Sequence, residues 1–115
     1  KVGNDTGFGI QNQANSFFKT SDATAFIMPL NATLSTSGDF LYSANRASNT
    51  VGFFTNGVAS DTITDSLAYQ SDSIGGDFRP LDGNLKEIII YESDQTANRP
   101  ALETNIASEY GITLS

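Results

Sequence analysis

Asn56-Gly57 stands between two short runs of strand-forming residues, Val51-Gly52-Phe53-Phe54-Thr55 and Val58-Ala59-Ser60. A two-residue turn between right-twisted strands needs positive φ at both central positions, and Asn-Gly is the pair that adopts them most readily. The spacing therefore predicts a β-hairpin over residues 51–60 with Asn56 and Gly57 at its tip.

The chain around that hairpin is punctuated in the same way. From residue 1 to about residue 81, short apolar runs alternate with clusters of Gly, Asn, Asp and Ser, the pattern of an all-β domain. Short strands are expected at residues 7–10, 16–18, 24–30 and 40–43, with Pro29 confining the third to a sheet edge or a strand end. Residues 31–39 and 44–49 read as polar connections. One further strand is expected around residues 66–70 and another at 73–75, closing on the turn glycines Gly75 and Gly76.

Residues 85–91, Leu-Lys-Glu-Ile-Ile-Ile-Tyr, begin as an alternating strand and end as a continuous apolar run, which is the signature of a strand covered on both faces. The covering element is expected next in the chain. Leu102, Ile106 and Tyr110 recur at i, i+4 and i+8, so a short helix over about residues 97–110 would dock one narrow stripe on the sheet. Thr96 or Asn98 suits its start, Pro100 its first turn and Gly111 its left-handed end. Glu103 and Glu109 read as surface charges of this helix.

Composition removes whole classes of function. With 115 residues the chain is sized for one domain. Ser, Thr and Asn make up roughly 30% of it, an uncharged polarity that belongs to short strands and turns. Thirteen acidic residues against six basic ones give a net charge of -7, which argues against nucleic acid and anionic membranes as partners. Cysteine and histidine are absent, so thiolate nucleophiles, Ser-His-Asp triads, disulfides and the usual zinc sites are excluded. An enzyme built from this chain would have to work with carboxylates.

The C-terminal third carries a resemblance. Leu81-Asp82-Gly83-Asn84-Leu85-Lys86-Glu87-Ile88-Ile89-Ile90-Tyr91, then Ser93-Asp94-Gln95-Thr96-Ala97-Asn98-Arg99, then Glu103-Thr104-Asn105-Ile106 and Tyr110-Gly111-Ile112, resemble the closing segment of concanavalin A-like, LamG-type jelly-roll domains of the variety found in structural and tail proteins of tailed bacteriophages. The Asn56-Gly57 turn and the Ile74-Gly75-Gly76 element also fall where such domains carry their turns. The resemblance implies an all-β jelly-roll sandwich with one short C-terminal α-helix, residues 1–115 forming a single domain or the C-terminal part of a larger one. Complete domains of this kind are longer, and the family closes on two aromatics where this chain has Glu109-Tyr110. Its first strands are therefore expected from elsewhere, and Phe8, Ile10, Phe17, Phe18, Phe26, Ile27 and Met28 need an apolar counterpart in the same polypeptide or in neighbouring copies, unless they are the two core faces of one small sandwich.

Glycosidases on this fold place paired carboxylates on one strand face, about 5–5.5 Å apart for a retaining mechanism. Glu87 and Glu92, five residues apart, would point to opposite faces of a strand. No enzyme activity is therefore expected. A sugar site needs an aromatic platform with amides and carboxylates around it; Tyr42, Asn45, Arg46 and Tyr69 are the candidates, although tryptophan is absent. No cofactor is expected other than calcium, for which the loop aspartates Asp61, Asp65, Asp72 and Asp77 are candidates, in a spacing that matches no known loop motif. The leading expectation is a non-enzymatic virion module, a tail, fibre or capsid-decorating domain. It would act by homo-oligomeric packing or packing with other virion proteins, with host-glycan recognition by its loops. The alternative is a carbohydrate-binding module of a secreted bacterial protein, and a third is a glycosidase whose carboxylates precede Lys1.

Overall fold

The computed structural model describes residues 18–19, 26–27, 38–64 and 83–115. Among these the order is β1 (Phe18–Lys19), β2 (Phe26–Ile27), β3 (Tyr42–Ala47), β4 (Thr50–Thr55), β5 (Val58–Thr64) and α1 (Arg99–Tyr110). β1 and β2 pair antiparallel with Phe18 opposite Ile27. β3, β4 and β5 form an antiparallel meander in sequence order.

The central hairpin is present with the turn that its sequence demands. Asn56 has φ 49° and Gly57 φ 85°, and Thr55 pairs with Val58 across them. The turn is also gripped from outside. The Asn56 N–H donates to the Leu41 carbonyl at 2.8 Å, the Leu41 N–H donates to Asn56 Oδ1 at 2.8 Å, and the Ser115 N–H donates to the Asn56 carbonyl at 3.0 Å.

β3 differs from expectation. Residues 44–47, read above as loop, continue the strand, with Asn45 opposite Gly52 and Ala47 opposite Thr50, so the connection shrinks to Ser48-Asn49. The physical reason lies in the register: Asn45 finds its partners in residues 94–96, and the backbone gains a ladder by pairing with β4.

Alternation along β3 and β4 divides the sheet into two faces. Cross-strand pairing places Tyr42, Ala44, Arg46, Val51, Phe53 and Thr55 on one, and Ser43, Asn45, Gly52 and Phe54 on the other. The first face holds the core of the described region: Phe53 is fully buried and Val51 nearly so, and the Tyr42 and Phe53 rings stack at 6.4 Å. The second face receives the helix.

α1 starts two residues later than the sequence reading, after a turn over residues 96–98. Asn98 occupies the cap position without a side-chain cap bond; its amide donates instead to Gln95 Oε1 at 2.9 Å. Pro100 lies in the first turn, and Gly111 ends the helix at φ 66°, with the Ile112 N–H donating to the Ala107 carbonyl at 2.8 Å, a Schellman-type closure. The stripe Leu102, Ile106, Tyr110 is only half-buried and flanks the true centre of the docked face, Glu103 and Ala107. Glu103 is thus no surface charge, since only 4% of it is exposed.

The largest departure is at residues 84–91. They belong to no strand, and Leu85, Ile88, Ile89, Ile90 and Tyr91 are 45–67% exposed. A strand needs a ladder partner, and among the described residues none pairs with this run. Its apolar pattern therefore remains half in solvent rather than covered on both faces. The described strands, two in a pair and three in a meander, make a smaller unit than a full jelly roll. The strands expected at residues 7–10, 66–70 and 73–75 lie outside the described residues.

Candidate functional site

The helix reaches the sheet through one buried carboxylate. Glu103 Oε1 accepts a hydrogen bond from the Ser43 hydroxyl on β3, and Glu103 Oε2 accepts from Arg99 one turn earlier at 2.5 Å. The Arg99 guanidinium lies 3.6 Å from the centroid of the Phe54 ring on β4. Ser43 and Phe54 are cross-strand partners, so a single pair of facing residues carries both anchors. Beneath the ring, Gly52 leaves the necessary room: a Cβ there would lie 3.3 Å from the edge of Phe54. The Arg99 cation sits over the face of the ring that attracts it.

Two residues along the same face of β3, Asn45 fixes the segment leading into the helix. Its amide donates to Asp94 Oδ1 at 3.1 Å and to the Thr96 hydroxyl at 2.6 Å, and its Oδ1 accepts from the Gln95 N–H at 3.1 Å. Asp94 Oδ1 also accepts from the Thr96 N–H and hydroxyl. The Thr96 hydroxyl, then its N–H, then the Asn45 amide hold the Asp94 carboxyl below the usual carboxylate range.

Residues 86–89 run beside the other flank of the helix. Lys86 pairs with Asp39 and lies 5.6 Å from the Tyr110 ring centroid. Burial first, then the charge of Glu87 and its hydrogen bond, then Glu109 raise the Tyr110 hydroxyl above its ordinary range, against Lys86. Glu87, Ile89, Asn105, Ile106 and Glu109 line a shallow groove of about 190 Å³ between this run and the helix.

The residues considered for a sugar site are dispersed. Tyr42 and Arg46 project from the face opposite Asn45. The Tyr42 ring stacks on Phe53 and its hydroxyl is buried without a hydrogen-bond partner, and burial pushes that hydroxyl well above the ordinary tyrosine range. Arg46 Nε donates to the Ser48 carbonyl at 3.0 Å. Of the calcium candidates, Asp61 pairs with Phe53 in the β4–β5 register, while Asp65, Asp72 and Asp77 lie outside the described residues, as do Tyr69, Gly75 and Gly76. Among the described residues no three His, Cys, Asp or Glu side chains form a group able to hold a metal, and no helix is long and apolar enough to cross a membrane.

Sequence reasoning missed Glu103, Arg99 and Ser43 as a unit. The available signal was the i, i+4 spacing of Arg99 and Glu103, which is equally common on exposed helices. Comparison with known protein families, with curated proteins and with solved structures finds no match to this chain.

Proposed function

We propose that this chain is a non-enzymatic structural module that works by packing against other protein surfaces, in the setting its closing segment suggests: a concanavalin A-like, jelly-roll domain of a phage tail, fibre or capsid decoration. The observation that carries the proposal is the apolar run at residues 85–91. Five of its seven side chains are large and apolar, and all five are between 45% and 67% exposed. Scattered exposed isoleucines are ordinary on protein surfaces, whereas a contiguous apolar strip is the mark of an interaction site.

The strip does not belong to a loose tail. Lys86 ties its start to Asp39 and Tyr110, and Asn45 ties the chain just after it. A held apolar strip suits docking because little ordering entropy remains to be lost on association. The polar groups around it point the same way. Glu103, Arg99, Asn45 and Asp94 bond to one another or to the sheet, which leaves them serving the structure in preference to a substrate. The partner is another virion protein or another copy of this chain.

The association state decides the matter. Sedimentation and light scattering of the chain should show concentration-dependent oligomers, or the chain should co-purify with particles from infected cells. Ile88→Lys and Ile90→Lys should reduce either behaviour while leaving the circular dichroism spectrum unchanged. A well-folded monomer at all concentrations, absent from particles, would overturn the proposal. Glycan-array binding by the folded chain would instead favour the carbohydrate-binding alternative.

A further inference from the structure

Asn56-Gly57 is the chain's single Asn-Gly step, and its chemistry goes beyond turn formation. A glycine nitrogen is unhindered by any Cβ on its own residue, so Asn-Gly is the sequence in which the following backbone nitrogen most readily attacks the asparagine side-chain amide. The Gly57 nitrogen bonds to Asn56 Cγ, the Cγ–Nδ2 bond breaks, and ammonia leaves with the proton that the Gly57 nitrogen gives up. The resulting succinimide takes up one water and opens at either carbonyl, giving aspartate or isoaspartate.

Asn56 is held at three of its atoms in the folded chain. Asn56 Oδ1 accepts from the Leu41 N–H at 2.8 Å, the Asn56 N–H donates to the Leu41 carbonyl at 2.8 Å, and the Asn56 carbonyl accepts from Ser115 at 3.0 Å. Leu114 packs against Gly57, 3.6 Å from where a Cβ would stand. Ring closure needs the side-chain amide free to turn onto the Gly57 nitrogen, and turning it breaks the bond that the Leu41 N–H makes to Asn56 Oδ1.

We infer that Asn56 is a conditional self-modification site, closed while Leu41 and Ser115 grip the turn and reactive once the hairpin opens. The reaction rate then follows the population of the opened hairpin. The isoaspartate product lengthens the main chain through the side-chain carbon, so the Asn56 N–H, carbonyl and side chain no longer match Leu41 and Ser115 together. An opened hairpin that reacts is therefore prevented from closing properly again.

The test incubates the full chain at mildly alkaline pH, folded and in denaturing urea, and quantifies Asn56 conversion by peptide mapping that resolves aspartate from isoaspartate. Conversion should be at least about tenfold slower in the folded chain and should rise with urea below the unfolding transition. Phe53→Ala, which removes a fully buried large side chain of the hairpin, should bring the native-buffer rate toward the denatured one. If that variant does not fold, the urea series alone is decisive. Equal rates in folded and denatured chains, or no conversion at Asn56 in the denatured chain, would overturn the inference.

Discussion

Truncating Glu103 removes the anchor of the helix, and the structure fixes the size of the effect. The carboxylate is 4% exposed, and each of its oxygens has a donor, Ser43 on one side and Arg99 on the other. Removing one member of a buried ion pair costs about 3–5 kcal/mol, because the other charge stays buried without compensation. The Arg99 side chain is 21% exposed and keeps the Phe54 face at 3.6 Å, so some of its charge remains solvated or stacked. Glu103→Ala is therefore expected at the low end, about 3 kcal/mol. Glu103→Gln keeps the shape and one acceptor for Ser43, and should cost about 1–2 kcal/mol. Replacing Arg99 and Glu103 together by Met removes both charges and preserves volume, and should fall within about 1 kcal/mol of the parent. Arg99→Met and Glu103→Met made singly should then couple by about 2 kcal/mol or more in a double-mutant cycle.

Tryptophan is absent, so urea unfolding is best followed by far-ultraviolet circular dichroism and tyrosine fluorescence, comparing midpoints at constant m. Hydrogen exchange over residues 99–110 shows whether the helix detaches before the sheet. A Glu103→Ala cost below about 0.5 kcal/mol, the ordinary size of a surface change, or a coupling near zero would refute the assignment of Glu103 as the anchor.

Tyr42→Phe removes a buried hydroxyl that has no partner and should stabilise the chain by about 1 kcal/mol. Because the folded chain holds that hydroxyl above its unfolded value, its contribution is intact below the unfolded value and is lost as pH rises past about 10; alkaline unfolding should be weaker in the Phe variant. Asn45→Ala deletes three hydrogen bonds to residues 94–96, should cost about 1–2 kcal/mol, and should speed amide exchange at Gln95 and Thr96. Asp94 titrates below its unfolded value, so its contribution is present above the unfolded range and lost as pH falls through the folded one; removing Asn45 should raise the Asp94 titration midpoint measured by NMR. Gly52→Ala pushes a methyl against the Phe54 ring and should cost about 1 kcal/mol in urea unfolding, with a matching fall in the Arg99 contribution measured by Arg99→Met in that background.

What could be read from the sequence divides by the range of the interaction that decides it. The Asn56-Gly57 turn and the Gly111 helix end are settled by the φ preferences of one or two residues, and both occur as expected. Pro100 in the first turn of the helix follows from its missing N–H in the same way. The β3 strand was misread at residues 44–47 because Asn45 and Arg46 look like loop residues until Asp94, Gln95 and Thr96 arrive from fifty residues away to satisfy Asn45. Glu103 was misread for the same reason: an acidic residue on a short helix is ordinarily solvated, and its burial rests on Ser43, sixty residues earlier, together with Arg99.

Residues 85–91 are a different kind of mismatch, and the difference bears on function. For Asn45 and Glu103 the pattern was ambiguous and the structure supplied the missing partner. For Leu85, Ile88, Ile89, Ile90 and Tyr91 the pattern is emphatic, and among the described residues no strand pairs with it, each side chain staying about half exposed. An apolar run is maintained against the solubility cost of exposure only if some state of the molecule buries it. Weak local preference does not explain the exposure, because Ile-Ile-Ile-Tyr is among the strongest strand-forming sequences in the chain. If the proposed packing buries this run, the test is direct: when the chain assembles, hydrogen exchange at residues 85–91 should slow more than anywhere in the described sheet, whereas unchanged exchange there on assembly would place the interface on another surface.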